Sequence, residues 1–533
     1  MGEYKVLITT SGIGSRLGDL TKFTNKCLVR VGKKPAISYI VEAYPKDVEM
    51  VITIGYFGMQ VKDFLTLAYP DREFKFIEID KFEGNGSSLG YSMLKAKDEL
   101  QCPFIFHAAD TIITEKISEP THDWLGSALK ENTSQYRTIS FNQANMIYDK
   151  GDMNSNFAYI GLAGINSYKK FWSALQEEYD NDTLNTSLSD CHAINKMNVD
   201  KWEVIEYFNW LDIGNVSDLK HAREVIYDKF ELLDKVDESI FLFEDSVIKF
   251  FYNKKICQNR VDRCQQLSGL TPKMIAYTEN FYKYEYAVGD LLATVVDETI
   301  FNNFLQWSKD NLWVEHGKSE EFSNTCNKFY FDKTYERLEK LFNDHKISDE
   351  PIMINGVMVP SALEMLKSID QDWLCSNLAY QFHGDFILDN IIYKGEDDFV
   401  LLDWRQDFGG DLKDGDIYYD LAKLNHNLLF NHDIVHQNLF SVEKIKATVK
   451  CDILRSDILT NCRENYHEWI IKNNLDLNKV KVLTAIIWLN MSPLHDYRMG
   501  EFLYYFGRLN LYKSLKKIIY LKYETKNIYR TNE

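Results

Sequence analysis

Residues 5–35 read KVLITTSGIGSRLGDLTKFTNKCLVRVGKKP, and the order of residue types in this stretch decides the fold of the N-terminal half. KVLITT is a run of β-favouring residues that passes straight into a loop with glycines at 12, 14 and 18. Glycines so spaced let backbone amides approach a phosphate chain, with Arg16 reaching over it. The loop lacks G-x-x-x-x-G-K-[ST] and is therefore no Walker loop. It also lacks G-x-G-x-x-G with an acid about 20 residues on, so dinucleotide binding fits poorly. Lys26, beyond the loop, is placed to neutralise an attacking phosphate and an α-phosphate together.

Further along, short β-rich runs alternate with helical stretches up to about residue 225. The runs are EMVITIGY at 49–56, FKFIEI at 74–79, PFIFHAAD at 103–110 and FAYIGLAGI at 157–165, with ISYIVEAY and SLGYSMLKAKDEL between them. Alternation of this kind implies an α/β unit with a mostly parallel sheet. Asp110 ends one strand, where a carboxylate at the sheet's crest can hold Mg²⁺. Asp212, in FNWLDIGNVSDL, supplies the second carboxylate that a shared metal site requires. GNGSSLGYS at 84–92, with Gly86 in it, is a second small-residue loop suited to contact with a base or ribose.

Taken in this order, the segments resemble the nucleotidyltransferase family that joins a nucleoside triphosphate to a sugar phosphate or phospho-alcohol. The resemblance covers roughly residues 4 to 225 and implies a Rossmann-like α/β domain with a mostly parallel mixed sheet. The family's signature loop falls on Ser11, Gly12, Gly14 and Arg16, its Lys on Lys26, and its metal carboxylates on Asp110 and Asp212. Asn25 stands where the family has Pro, and Ser11-Gly12 where it has Ala-Gly. The forms W-x-D-I-G-x-x-x-D-L, from Trp210, and NFAYIGLAGI look more like the sugar-1-phosphate branch than the phosphocholine branch.

The densest motif in the chain is QFHGDFILDNIIYKGEDDFVLLDW at 381–404. H-G-D-x-x-x-x-N followed by a hydrophobic strand ending in Asp is a phosphoryl-transfer pattern. One carboxylate, Asp385, orients an attacking hydroxyl as base, while Asn390 and Asp403 hold Mg²⁺ on nucleotide phosphates. Before it lie short strands (SIFLFED, SVIKFFYN, MIAYTENFYKYEYAV), and from about residue 292 the chain reads as mostly helix. The whole is similar to the aminoglycoside phosphotransferase and choline kinase superfamily over roughly residues 238 to 520. That resemblance implies an α+β bilobal kinase-like domain in which Lys249 grips nucleotide phosphates. A hinge at 282–292, with Glu285 and Tyr286, would meet adenine through its backbone. Asp262 is the only acid that NRVDRCQQL offers as a partner for Lys249. Where the family has Trp-Glu, this chain has Trp404-Arg405. Asp416 and Asp420 read as braces of the lobe, and His432 with His436 as a solvated or core pair with no third ligand.

Composition sets the outer limits. At 533 residues the chain exceeds what one core usually serves. The expected division is residues 1–230 and 231–533. Lys plus Arg number 61 against 79 Asp plus Glu, a net charge of −18, and a diffuse acidic surface repels nucleic-acid backbones. Nine cysteines without a C-x-x-C pair read as reduced, cytoplasmic thiols. No stretch suits a membrane span. The combined expectation is a bifunctional enzyme that uses ATP to phosphorylate a small hydroxylated metabolite, a sugar before choline or another amino alcohol. It would then couple the product to a nucleoside monophosphate from CTP or UTP for surface glycan synthesis. A scaffold or regulatory binder is the reading from a different class.

Overall fold

The computed structural model describes residues 4–140, 147–151, 155–181, 188–197, 202–227 and 235–530. The chain divides into two compact units, Met1–Cys257 with Met274–Tyr286, and Gln258–Lys273 with Ala287–Glu533. The boundary expected near residue 230 lies in 228–234, outside the described residues.

The first unit is built on a mixed sheet with nine strands among the described residues. Its centre holds β1 (Lys5–Thr9), β2 (Met50–Ile54), β3 (Phe74–Glu78) and β4 (Phe104–Ala108), all parallel in the order β4-β1-β2-β3. β2, MVITI, is buried at every position, as a strand covered on both faces requires. Helices α1 (Ala36–Glu42), α2 (Gly58–Ala68) and α3 (Leu89–Lys95) make the crossovers. Beyond β4 the sheet turns antiparallel. Following β5 (Thr111–Ile113), which lies outside this sheet, come β6 (Trp124–Leu129), β7 (Thr138–Ile139), β8 (Ile147–Tyr148), β9 (Phe157–Ile165) and β10 (Glu203–Glu206). β9 pairs with β4 and β6, and β10 runs parallel to β6. The register of β9 slips between Tyr159 and Ala163, where Gly161 takes φ +71° and a Cβ would come 2.8 Å from the Ala108 Cβ. β11 (Trp210–Asp212) pairs with β5 in a separate ladder and leads into α4 (Val216–Val225).

Four antiparallel strands, β12 (Glu238–Leu242), β13 (Ser246–Phe251), β14 (Met274–Tyr277) and β15 (Phe281–Glu285), form a sheet in the order β12-β13-β15-β14. They pack into the first unit: Phe64 of α2 meets the rings of Phe241 and Phe281 at 5.3 and 6.1 Å.

The second unit is largely helical. It takes residues from 258 of α5 (Lys254–Gln266), then α6 (Lys333–His345), α7 (Ile417–Asn427), α8 (Leu477–Met491) and α9 (Tyr497–Arg530) among others. From Val480 to Leu489, α8 is buried except at the partly exposed Lys481, as befits a helix enclosed by its neighbours. Its Trp488 ring lies 4.7 Å from Phe506 of α9. The expectation of mostly helix after 292 missed a four-stranded sheet. β16 (Ile352–Ile354) and β17 (Val357–Val359) form a hairpin that joins a second hairpin, β20 (Phe440–Ile445) and β21 (Thr448–Ile453). Between the two in sequence, β18 (Ile391–Gly395) and β19 (Asp398–Leu401) form the hairpin that carries the 381–404 motif. Among the described residues, no helix is long and apolar enough to cross a membrane.

Candidate functional site

The C-terminal ends of β1 and β4 lie side by side, Thr9 opposite Ala108, so the loops that follow them face one another. Thr10 is anchored through its Oγ1 to the Thr53 carbonyl at 2.8 Å. The loop then turns at Gly14, φ +71°, where a Cβ would stand 2.8 Å from the Lys26 Cβ. Glycine there lets the loop lie directly against Lys26. Asn25 fixes the approach of that lysine. Its Nδ2 donates to the Thr10 and Tyr56 carbonyls at 2.8 and 2.6 Å, and its Oδ1 accepts from Cys27 N at 3.0 Å. A buried amide holds this turn at the position where the pattern the sequence resembles has proline.

Opposite this loop the Lys26 Nζ lies 3.0 Å from Asp110 Oδ2, and the Arg16 guanidinium reaches the same oxygen at 3.9 Å. The β5–β11 ladder sets Asp212 across from Thr111, and Ile213 N donates to the Asp110 carbonyl at 3.0 Å. Gly214 marks how tightly these groups converge. A Cβ at that position would be 3.0 Å from Asp212 Oδ1, 3.3 Å from the Arg16 Nη2 and 3.5 Å from Asp110 Oδ2. The four residues singled out from sequence as far apart as 16 and 212 therefore meet at one point.

Charge is unevenly shared between the two carboxylates. Burial pushes the Asp110 carboxyl up, but the charge and hydrogen bond of Lys26, with Arg16, hold it below its ordinary value. Burial, and then the negative charge of Asp110, raise Asp212 to about 6. Paired carboxylates that disfavour each other's ionisation, both offering oxygen donors, suit a hard divalent cation such as Mg²⁺.

A cavity of about 320 Å³ opens beside these groups, lined among others by Ser11, Gly12, Lys26 and Asp110 from one side and Lys81, Ser88 and Ser92 from the other. Ser11 and Ser92 share a hydrogen bond of 3.0 Å. Gly86, φ +87°, sits in the turn that presents Ser87 and Ser88. Two lysines escaped the sequence reading. Lys81 lines the cavity from the segment just before GNGSS. The Lys150 ammonium is lowered by burial and then by the charge of Arg16, while Asp110 and Asp212 pull it the other way. No pattern in the sequence around Lys150 points to it.

In the second unit the HGD turn is held from beneath. Asp420 of α7 accepts from His383 N at 2.8 Å, Gly384 N at 2.6 Å and Trp313 Nε1 at 3.2 Å. Asp416 is likewise enclosed, bonded by Tyr330 and Asn377 at 2.7 Å each. The His383 ring, buried and bonded to the Leu402 carbonyl at 2.8 Å, is lowered to about 4 by burial and stays neutral. Asn390 Nδ2 donates to the Asp385 carbonyl at 2.9 Å and its carboxylate at 3.3 Å. Leu402 N donates to the Asn390 carbonyl at 2.7 Å, which brings the end of β19, and Asp403 with φ +56°, alongside Asn390. Asp385, Asn390 and Asp403 are thus neighbours, with the oxygen donors that Mg²⁺ prefers.

Each of the two carboxylates also has a cation. Lys423 lies 2.6 Å from Asp385, and Arg260 lies 2.8 Å from Asp403. Lys423 was not foreseen; it follows Asp420 by three residues, about one helical turn, a spacing that carries no signal before the fold is known. Lys249 is on β13 opposite Ile240 and Tyr282, and Glu285 ends β15 opposite Ser246. Tyr286 N donates to the Asp245 carbonyl at 2.9 Å. Asp262 accepts from Gln258 one turn away. His432 lies 3.3 Å from Asp389, and its ring stacks with that of His436 at 6.3 Å.

No protein-family model and no curated protein matches the chain. Solved structures are similar over its N-terminal part. A CTP:phosphocholine cytidylyltransferase from Streptococcus pneumoniae is 21% identical with a TM-score of 0.36, over 42% of this chain and 100% of that one. A UDP-glucose pyrophosphorylase from Acinetobacter baumannii is 14% identical with a TM-score of 0.35, over 42% of this chain and 92% of its own. A UDP-glucose pyrophosphorylase complexed with UDP-glucose is 20% identical with a TM-score of 0.33, over 42% and 98%.

Proposed function

We propose that the first unit transfers a nucleoside monophosphate from CTP or UTP to the phosphate of a small sugar phosphate or phospho-alcohol, releasing pyrophosphate. The observation that carries this reading is the meeting of Arg16, Lys26, Asp110 and Asp212 beside a cavity rimmed by the Gly12–Gly14 loop. In the step, an acceptor phosphate oxygen forms a bond to the α-phosphorus, and the bond from that phosphorus to the bridging oxygen breaks. Charge builds on the α-phosphoryl oxygens and on the departing pyrophosphate. Lys26 and Arg16 are the cations placed to offset it, and the loop amides of Ser11, Gly12 and Gly14 would orient the triphosphate. Asp110 and Asp212 would hold Mg²⁺, whose charge would draw electrons from the phosphoryl group. Gly86 and the serines after it would meet the nucleoside.

The second unit, on this proposal, is a small-molecule kinase. Asp385 would accept a proton from the acceptor hydroxyl as its oxygen takes the γ-phosphoryl group of ATP and ADP leaves. Asn390 and Asp403 would hold Mg²⁺. Lys249, Glu285 and Tyr286, to which the resembled superfamily would give nucleotide binding, belong to the first compact unit. The kinase would supply the class of phosphate ester that the first unit consumes, and the two steps together would yield an activated sugar or alcohol.

The test is pyrophosphate release from CTP and UTP by the full chain, with sugar 1-phosphates and phosphocholine as acceptors. Lys26→Ala and Asp110→Ala should each lower the rate by about 10²-fold or more. Release that survives both substitutions would remove the nucleotidyl-transfer assignment. Unchanged ATP turnover in Asp385→Ala would remove the kinase.

A further inference from the structure

The geometry points to an acceptor for the second unit that carries an anionic group, a carboxylate or phosphate, beside the hydroxyl it presents to Asp385. This rests on the kinase reading above and narrows its substrate class. The observation is a set of cations gathered on one side of the HGD turn.

Arg405 follows the Asp403-Trp404 pair, and its backbone N donates to the His383 carbonyl at 3.0 Å. Its stem lies against Gly384, where a Cβ would be 2.5 Å from the Arg405 Cβ. Glycine at 384 is therefore what allows the arginine to lie next to the residue preceding Asp385. The guanidinium then extends to within 5.1 Å of the Phe329 ring centre, and Lys333 of α6 approaches the same ring at 4.1 Å. Lys423, on Asp385 at 2.6 Å, closes the other end of the set. Arg405, Lys333 and Lys423, from three separate segments, thus place basic side chains beside the proposed base.

Their charges are felt mutually. Burial, then Arg405, Arg337 and Lys423, push the Lys333 ammonium down to about 6, against a smaller pull from Asp407, so the amine takes up its proton when an anion arrives to offset the neighbouring charges. Holding like charges together in a half-buried place costs free energy unless an anion enters. Asp385 is taken by Lys423, and Arg405 Nε is directed to the Asp407 carbonyl at 3.0 Å. Among the described residues neither Lys333 nor Arg405 is ion-paired with a carboxylate. A cationic acceptor such as choline would meet repulsion here. A hydroxy acid or a phosphorylated polyol would meet a partner for its charge.

The γ-phosphate of ATP is also an anion, so the experiment must separate the nucleotide from the acceptor. The full chain is assayed with Mg²⁺-ATP against three acceptor pools: anionic (glycerate, gluconate, glycerol phosphate, sugar phosphates), neutral (free sugars, glycerol) and cationic (choline, ethanolamine). Mg²⁺-ATP binding is measured separately by a fluorescent analogue. Phosphorylation confined to the anionic pool is the expected result. Lys333→Gln and Arg405→Gln should each raise the acceptor KM by about tenfold, the effect of one lost charge-assisted contact, with the ATP KM within about twofold and Lys333→Arg restoring most of the loss. Turnover of the neutral or cationic pool in preference overturns the inference and leaves the kinase standing. So does ATP binding with no anionic acceptor used, or an ATP KM that rises with the acceptor KM. Absence of both ATP binding and turnover overturns the kinase reading itself.

Discussion

Asp212 is the residue whose chemistry is most exposed to experiment. Its carboxyl, raised to about 6 in the folded protein from an ordinary value of 3.8, retains a proton that the unfolded chain has lost. Its contribution to stability is therefore complete below about pH 4 and disappears as pH rises through 6. In metal-free protein, Asp212→Asn should raise the Tm at pH 8 relative to the parent, with the difference closing by pH 4 to 5. Thermal scans across that range check it, and equal shifts at pH 5 and pH 8 would contradict it. Mg²⁺ at pH 8 should raise the Tm of the parent more than that of the variant, since the added cation relieves the same repulsion. Asn25 gives a second residue-scale outcome. Asn25→Ala removes three hydrogen bonds within buried loops and should cost about 2 to 3 kcal/mol in denaturant titration, as well as slowing transfer by releasing Lys26. Arg16, Lys26, Asp110 and Asp212 were all legible in the sequence because each follows a recognisable strand or glycine signal. Lys81, Lys150 and Lys423 were not, because each is brought to its site by a fold whose contacts span many intervening residues.

At the scale of elements, the Gly-rich loop is a device for bringing backbone to Lys26. Gly14→Ala forces a side chain into a left-handed conformation and against the Lys26 stem. A cost of about 1 to 3 kcal/mol is expected, together with a fall in kcat/KM of at least about tenfold when measured by pyrophosphate release. Retained activity with unaltered stability would contradict the close approach. In the main sheet of the first unit β1 to β4 and β9 were legible as β-rich runs bounded by turn residues, whereas β6 (Trp124–Leu129) and β10 (Glu203–Glu206) were not. β9 was found whole, from Phe157 to Ile165. The β16–β17 hairpin was lost although Asn355-Gly356 is a strong two-residue turn signal, and both residues do take positive φ, +47° and +78°. Its strands are only three residues long, too short for alternation to stand out among flanking helices. β21 alternates inward and outward, while β20 ends in three exposed residues before a turn at Lys446, φ +56°, and their lysines and glutamate gave both the composition of an exposed helix. In α7, Asp420 secures two backbone amides of the HGD turn. Asp420→Ala leaves both buried donors without their acceptor and should destabilise the second unit by about 3 kcal/mol, read by the unfolding of that unit in calorimetry.

For the whole molecule, the two proposed activities should be separable by substitution. Asp385→Ala should abolish ATP-dependent phosphorylation while leaving pyrophosphate release intact when a phosphorylated acceptor is supplied. Lys26→Ala should do the reverse, and an assay of both variants with both substrates checks the pair. Loss of both activities in either variant would contradict the separation. The two motifs on which the proposed chemistry rests were readable although they lie far apart in sequence. Where the compact units divide was not, because the strands from Glu238 to Glu285 look like the start of a new domain yet bury Phe241 and Phe281 against Phe64 of the first. The most direct measurement is ³¹P NMR of the full chain with Mg²⁺, CTP or UTP, and sugar 1-phosphates or phosphocholine. The account predicts a pyrophosphate resonance growing in step with the coupled doublets of a new phosphodiester-linked diphosphate. Triphosphate that stays intact, or that breaks down to nucleoside diphosphate and inorganic phosphate, would contradict it.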